Sequence, residues 1–121
     1  MVVQTYEQLE VWQKAMQMVA LVYKSTKRFP KEEMYGLTMQ LRRAAVSVPS
    51  NIAEGQGRRS TKEFLNHLSM ARGSLLEVET QTEIAFRLEY LTQEEKIRLK
   101  ELTNEVGRLL NGLIRALEKK L

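Results

Sequence analysis

The chain of 121 residues has no cysteine, no aspartate, one histidine, one tryptophan and two prolines. Without cysteine there are no disulfides and no thiolate metal sites, which fits a reducing cytoplasm. Every one of the fifteen acidic residues is glutamate, which loses little in a helix, whereas aspartate competes for caps and turns. No uninterrupted apolar run reaches membrane-spanning length, and the N-terminal MVVQTYEQLE lacks a signal-peptide pattern. Strand alternation, internal repeats and low-complexity tracts are all missing. What remains is helix, and the length predicts a single domain over residues 1–121 with one real core.

The net charge is +4, and it is unevenly placed. Residues 41–72 carry Arg42, Arg43, Arg58, Arg59, Lys62 and Arg72 against only Glu54 and Glu63, while the flanking segments nearly balance. An excess of this kind suits an acidic partner or nucleic acid, and a solvated basic face is the plainer alternative.

Most of that excess lies on the one stretch that departs from plain amphipathic helix, Leu41 to Arg59, reading LRRAAVSVPSNIAEGQGRR. A proline inside a helix removes a backbone donor and clashes with the carbonyl four residues back, here Ala45, at about 3 kcal/mol. Yet Met34, Leu37, Leu41, Ala44, Ala45, Val48 and Ile52 keep a 3-4 spacing through Pro49. The unshifted register predicts one long helix kinked at Pro49 rather than two helices with Ser47 as a cap. Small residues crowd the segment, so another backbone is expected to approach closely, with Ser47, Ser50 and Asn51 hydrogen-bonding across the contact.

The rest of the chain divides into amphipathic segments. The first helix is expected from Thr5 or Glu7 to Arg28, with Leu9, Trp12, Met16, Val19 and Tyr23 as one seam and Val11, Ala15, Met18 and Val22 as a second. Two such lines exceed the stripe of roughly 100° that a surface helix needs, so the surplus face calls for a subunit contact or a broad internal one. Phe29-Pro30 breaks the chain, and a second helix follows from Lys31 to Gln56, with Met39, Val46 and Ala53 again forming an extra line. Gly55-Gln56-Gly57 allows a left-handed cap. Ser60 with Glu63, and later Thr92 with Glu95, read as capping boxes. They open a third helix to Tyr90, carrying Phe64, Leu68, Ala71, Leu75, Val78, Thr82 and Ala85, and a fourth carrying Leu99, Leu102, Val106, Leu109, Leu113 and Ala116. Short connections between four long helices predict an all-α, antiparallel up-down-up-down four-helix bundle.

No catalytic constellation appears, and no metal or cofactor is called for. His67 has Glu63 one turn away, but no second histidine or carboxylate cluster completes a metal site. Glu77, Glu79 and Glu83 lack the Glu-x-x-His repeats of carboxylate bundles. Ser47, Ser50 and Ser74 have no nearby histidine. Gly55-Gln56-Gly57 lacks the strand and the Lys-Ser/Thr of a phosphate loop, which makes it a helix corner. The basic residues are the best functional signal. With only Phe64 nearby, they lack aromatics for base stacking, which predicts phosphate contacts rather than sequence readout.

Several segments together resemble a known family. They are Tyr6-x-x-Leu9-x-Val11-Trp12-x-x-Ala15, Phe29-Pro30 and Glu33-x-Tyr35-Gly36-Leu37-Thr38-x-Gln40-Leu41-Arg42-Arg43-Ala44-Ala45. Ser47-Val48-Pro49-Ser50-Asn51-Ile52-Ala53-Glu54-Gly55 and Ala71-Arg72-Gly73-Ser74-Leu75-x-Glu77 complete the set. Their order and spacing, over nearly the whole chain, are similar to the 23S rRNA intervening-sequence proteins, also called the S23 family. The resemblance implies a four-helix bundle, often a homopentamer, without known enzymatic activity. It also implies kinship with the accessory protein of diversity-generating retroelements, a basic pentamer that binds a reverse transcriptase and nucleic acid. The expectation is a non-enzymatic, homo-oligomeric accessory or scaffold protein associated with nucleic acid. A protein-interaction module without nucleic-acid affinity is the rival.

Overall fold

Helix starts and stops follow the hydrogen bonds that local side chains can supply. The computed structural model describes residues 5–121, and four α-helices account for most of them: α1 (Glu10–Thr26), α2 (Leu37–Gln56), α3 (Thr61–Arg87) and α4 (Gln93–Glu118). Each helix packs against its two neighbours in a closed ring, α1 to α2 to α3 to α4 and back to α1, with α2 and α3 in the most extensive contact. This is the all-α, up-down-up-down four-helix bundle expected from the stripes. A single helix runs through Pro49, so the two-helix alternative for residues 37–56 does not arise.

The core is built from Val11, Ala15, Met18 and Val22 of α1, Leu41, Ala45, Val48 and Ile52 of α2, and Leu68, Ala71, Leu75, Val78 and Ala85 of α3. Leu99, Val106, Leu110 and Leu117 complete it from α4. Burying each large apolar side chain of this set contributes about 1.5–3 kcal/mol. On α3 the expected row is buried from Leu68 to Ala85, with Phe64 half-buried at its start. On α4 the buried row is Leu99, Thr103, Val106, Leu110 and Leu117. Leu99 and Val106 of the expected seam are in that row, whereas Leu102, Leu109 and Leu113 lie beside it and Ala116 is exposed. On α1 the second line is the core, and the first line lies along its edge. Where two apolar rows run side by side, periodicity cannot choose between them, and the facing helices decide.

The termini differ from expectation in four places. The first helix does not start at Thr5 or Glu7: a short 3-10 turn (Tyr6–Gln8) precedes it, closed by a hydrogen bond from the Thr5 N–H to Gln8 Oε1 (3.2 Å). Residues 31–36 likewise form a 3-10 turn (Lys31–Glu33) and a bend rather than the first turns of α2, which leaves Met34 53% exposed and outside the core. Gly57 ends α2 in right-handed conformation, not in a left-handed cap. The left-handed residue is Glu89 (φ 66°), after α3, where Tyr90 N–H donates to Ala85 O and Glu89 N–H to Phe86 O, the paired bonds of a Schellman stop. Thr92 and Glu95 form the expected reciprocal box, with bonds of 3.1 and 2.8 Å. Ser60 caps α3, but Glu63 returns its carboxylate to the Ser60 hydroxyl instead of to the backbone.

Candidate nucleic-acid interface

Close packing of α2 on α3 displays the basic residues. A Cβ added at Gly55 would lie 2.7 Å from His67 Cβ, 3.0 Å from Phe64 Cδ1 and 3.2 Å from the Phe64 carbonyl oxygen. Farther along, the Ser47 and Ser74 hydroxyls are 2.8 Å apart, and Asn51 Nδ2 donates to both the carbonyl (2.9 Å) and the hydroxyl (3.0 Å) of Ser47. Small side chains and this polar cluster therefore join the two helices. Within the stretch from Pro49 to Gly55, Pro49, Ile52 and Gly55 are buried, Asn51 and Ala53 are half-buried, and Ser50 and Glu54 are exposed. Ser50, expected to bond across the contact, makes no such bond among the described residues.

The six basic residues divide by their partners. Arg58 donates to Glu54 Oε2 (2.8 Å) at the corner between α2 and α3, and His67 Nε2 lies 3.7 Å from the same carboxylate. Arg59 and Lys62 stand beside them, exposed and without an ion pair among the described residues. Arg72, equally free, lies about 15 Å farther along α3 by helical rise. Arg43 is exposed about 24 Å up α2 from the corner and is likewise free of ion pairs. Arg42 is different: its Nε donates to Thr26 Oγ1 (2.8 Å), and its guanidinium lies 4.6 Å from the centroid of the Tyr23 ring.

That arrangement reveals residues the sequence reading passed over. The α1–α2 hairpin folds back at Phe29-Pro30, which brings Lys27 and Lys31 to the same groove as Arg42 and Arg43. The groove has a volume of about 720 Å³, and no carboxylate lines it. Tyr23 and Tyr35 also line it, so aromatic rings do stand among cations here, contrary to the sequence expectation. The signal was present in the spacing: Lys27 and Lys31 straddle a helix break, and an antiparallel return of α2 sets them opposite Arg42 and Arg43.

The bend that carries Tyr35 is firmly tied. Glu33 accepts from the Leu37 N–H through Oε1 (3.1 Å) and from the Tyr90 hydroxyl through Oε2 (2.9 Å). Tyr90 stacks at a tilt on Phe29, with centroids 5.4 Å apart. The hydrogen bond to Glu33, with burial and the nearby carboxylates, holds the Tyr90 phenol above its ordinary pKa. Beyond Val46 the surface changes to an apolar trough lined by Tyr6, Trp12, Met16, Val19, Pro49 and Ala53. This is the surplus face of α1 and α2.

Elsewhere, His67 Nδ1 lies 3.0 Å from the Glu63 carbonyl oxygen, and the Glu63 carboxylate accepts from the Ser60 hydroxyl. Among the described residues no three His, Asp or Glu side chains gather as a metal site. No helix of the described residues is long and apolar enough to cross a membrane.

The family model described as 23S rRNA-intervening sequence protein matches residues 7–112. The fold is similar to a crystal structure of a protein with unknown function from the S23 ribosomal protein family of Bacteroides thetaiotaomicron. The TM-score is 0.79 at 24% identity, covering 87% of this chain and 95% of that one. Comparison with curated proteins finds no match.

Proposed function

We propose a function from one premise: the chain belongs to the 23S rRNA-intervening sequence protein family. It acts as a non-enzymatic, cytoplasmic, homo-oligomeric accessory or scaffold protein that associates with nucleic acid through a basic surface. The observation that carries this reading is the set Arg43, Arg59, Lys62 and Arg72, exposed on α2, α3 and their corner without ion pairs among the described residues. Cations left free of internal partners are available to phosphates, and each phosphate neutralised releases counterions. Assembly multiplies the set, which one subunit displays only sparsely. The resemblance named above implies five copies.

Filter binding of labelled single-stranded RNA and duplex DNA, from low to physiological salt, tests the proposal. Binding should fall linearly on a log–log plot, with a slope of about −0.7 per phosphate contacted on single strands. Replacing Arg59, Lys62 and Arg72 together by glutamine should flatten the slope and weaken binding with the helical signal unchanged. Absence of binding at low salt by the assembled protein would leave the rival, a protein-interaction module. The apolar trough along α1 and α2 is the feature that favours that second reading.

A further inference from the structure

We propose that the groove between the start of α2 and the end of α1 receives an unpaired nucleotide of a single strand, with its phosphate on Arg42 and its base on Tyr35. This deepens the nucleic-acid reading and rests on it. Arg42 is the anchor. Its Nε is committed to Thr26 and its plane lies over Tyr23, so the side chain is held in one place. Its two terminal nitrogens have no protein partner among the described residues. A guanidinium fixed in this way has a free fork that matches two phosphate oxygens, at little further cost in side-chain freedom.

The surroundings favour an anion. Lys27, Lys31 and Arg43 line the same groove, and no glutamate does. Glu33, the acidic residue nearest Tyr35 in sequence, is already bonded to the Leu37 N–H and the Tyr90 hydroxyl. A cationic groove alone would accept any phosphate, so Tyr35 decides the class of ligand. Its side chain is 82% exposed beside the cations, on a bend closed by hydrogen bonds from Met34 N–H to Lys31 O (3.1 Å) and Gly36 N–H to Glu33 O (2.9 Å). An exposed ring on a tied bend is a stacking platform, and Met34 and Met39 provide soft apolar cover nearby. Bases inside a duplex are stacked on each other and cannot use it, whereas unpaired bases can.

The test uses the full-length protein and a short labelled RNA of mixed sequence, measured by filter binding both alone and annealed to its complement. Tyr35→Ala should weaken single-strand binding about tenfold, the size of one base stack, and leave duplex binding unchanged. Tyr35→Phe should restore the parent affinity, because the ring and not the hydroxyl is used. Lys31→Gln should weaken binding and lower its salt dependence. Equal affinity of the parent and Tyr35→Ala for the single strand would overturn the groove while leaving the nucleic-acid function standing. No binding of either RNA form by the parent at low salt would overturn both.

Discussion

At Gly55, α2 and α3 leave no room for a methyl group. The atoms that a Cβ would meet include His67 Cβ and the Phe64 carbonyl oxygen, neither of them the far end of a flexible chain. Gly55→Ala should therefore destabilise the fold by about 1–3 kcal/mol, the usual range for overpacking, although alanine is the better helix former. Urea denaturation followed by circular dichroism measures this, and an unchanged midpoint would show that the helices separate at no cost. The need for small side chains here was legible in the sequence. What they approach was not, because Phe64 and His67 reach Gly55 only through the turn at Gly57. The same holds for Arg42: a row of arginines can be read from a sequence, but its bond to Thr26 and its stacking on Tyr23 exist only once the hairpin has closed.

Between α3 and α4, Glu83 accepts from Arg87 Nε on its own helix and from Lys96 Nζ on the next, each at 2.9 Å. The hydrogen bond from Arg87, then that from Lys96, lower its pKa below the usual glutamate value. A depressed folded pKa gives stability that is present above the unfolded value and is lost as pH falls through the folded one. Glu83→Gln should thus melt lower than the parent at neutral pH, and the two melting curves should converge as the pH falls below the usual glutamate range. Parallel curves over that range would remove the carboxylate from the account. At this scale the sequence was most readable where a helix has one apolar row, as on α3. It was least readable on α1 and α4, where two rows compete, and at Glu89, a left-handed position that nothing local marks as special.

Across the whole bundle, charge and apolar surface occupy neighbouring regions of the α1–α2 face. The apolar trough is wide: Tyr6 is 37% exposed, Met16 44% and Val46 39%, with Trp12 half-buried between them. A second copy of the chain is the expected cover, since contiguous apolar surface of this kind is uncommon on monomers. Sedimentation at micromolar concentration should show an oligomer, and Met16→Glu should shift it towards monomer with the helical signal retained. A monomeric parent would count against the assembly. The position of Trp12 has a further use. It is the sole tryptophan, packed edge-on against Tyr6 with centroids 5.3 Å apart, and it lines the surface that association would cover. The protein therefore carries an intrinsic optical reporter: on dilution, the indole emission should move to longer wavelength as water reaches the ring, and the concentration at the midpoint of that shift reports the stability of the assembly without any label.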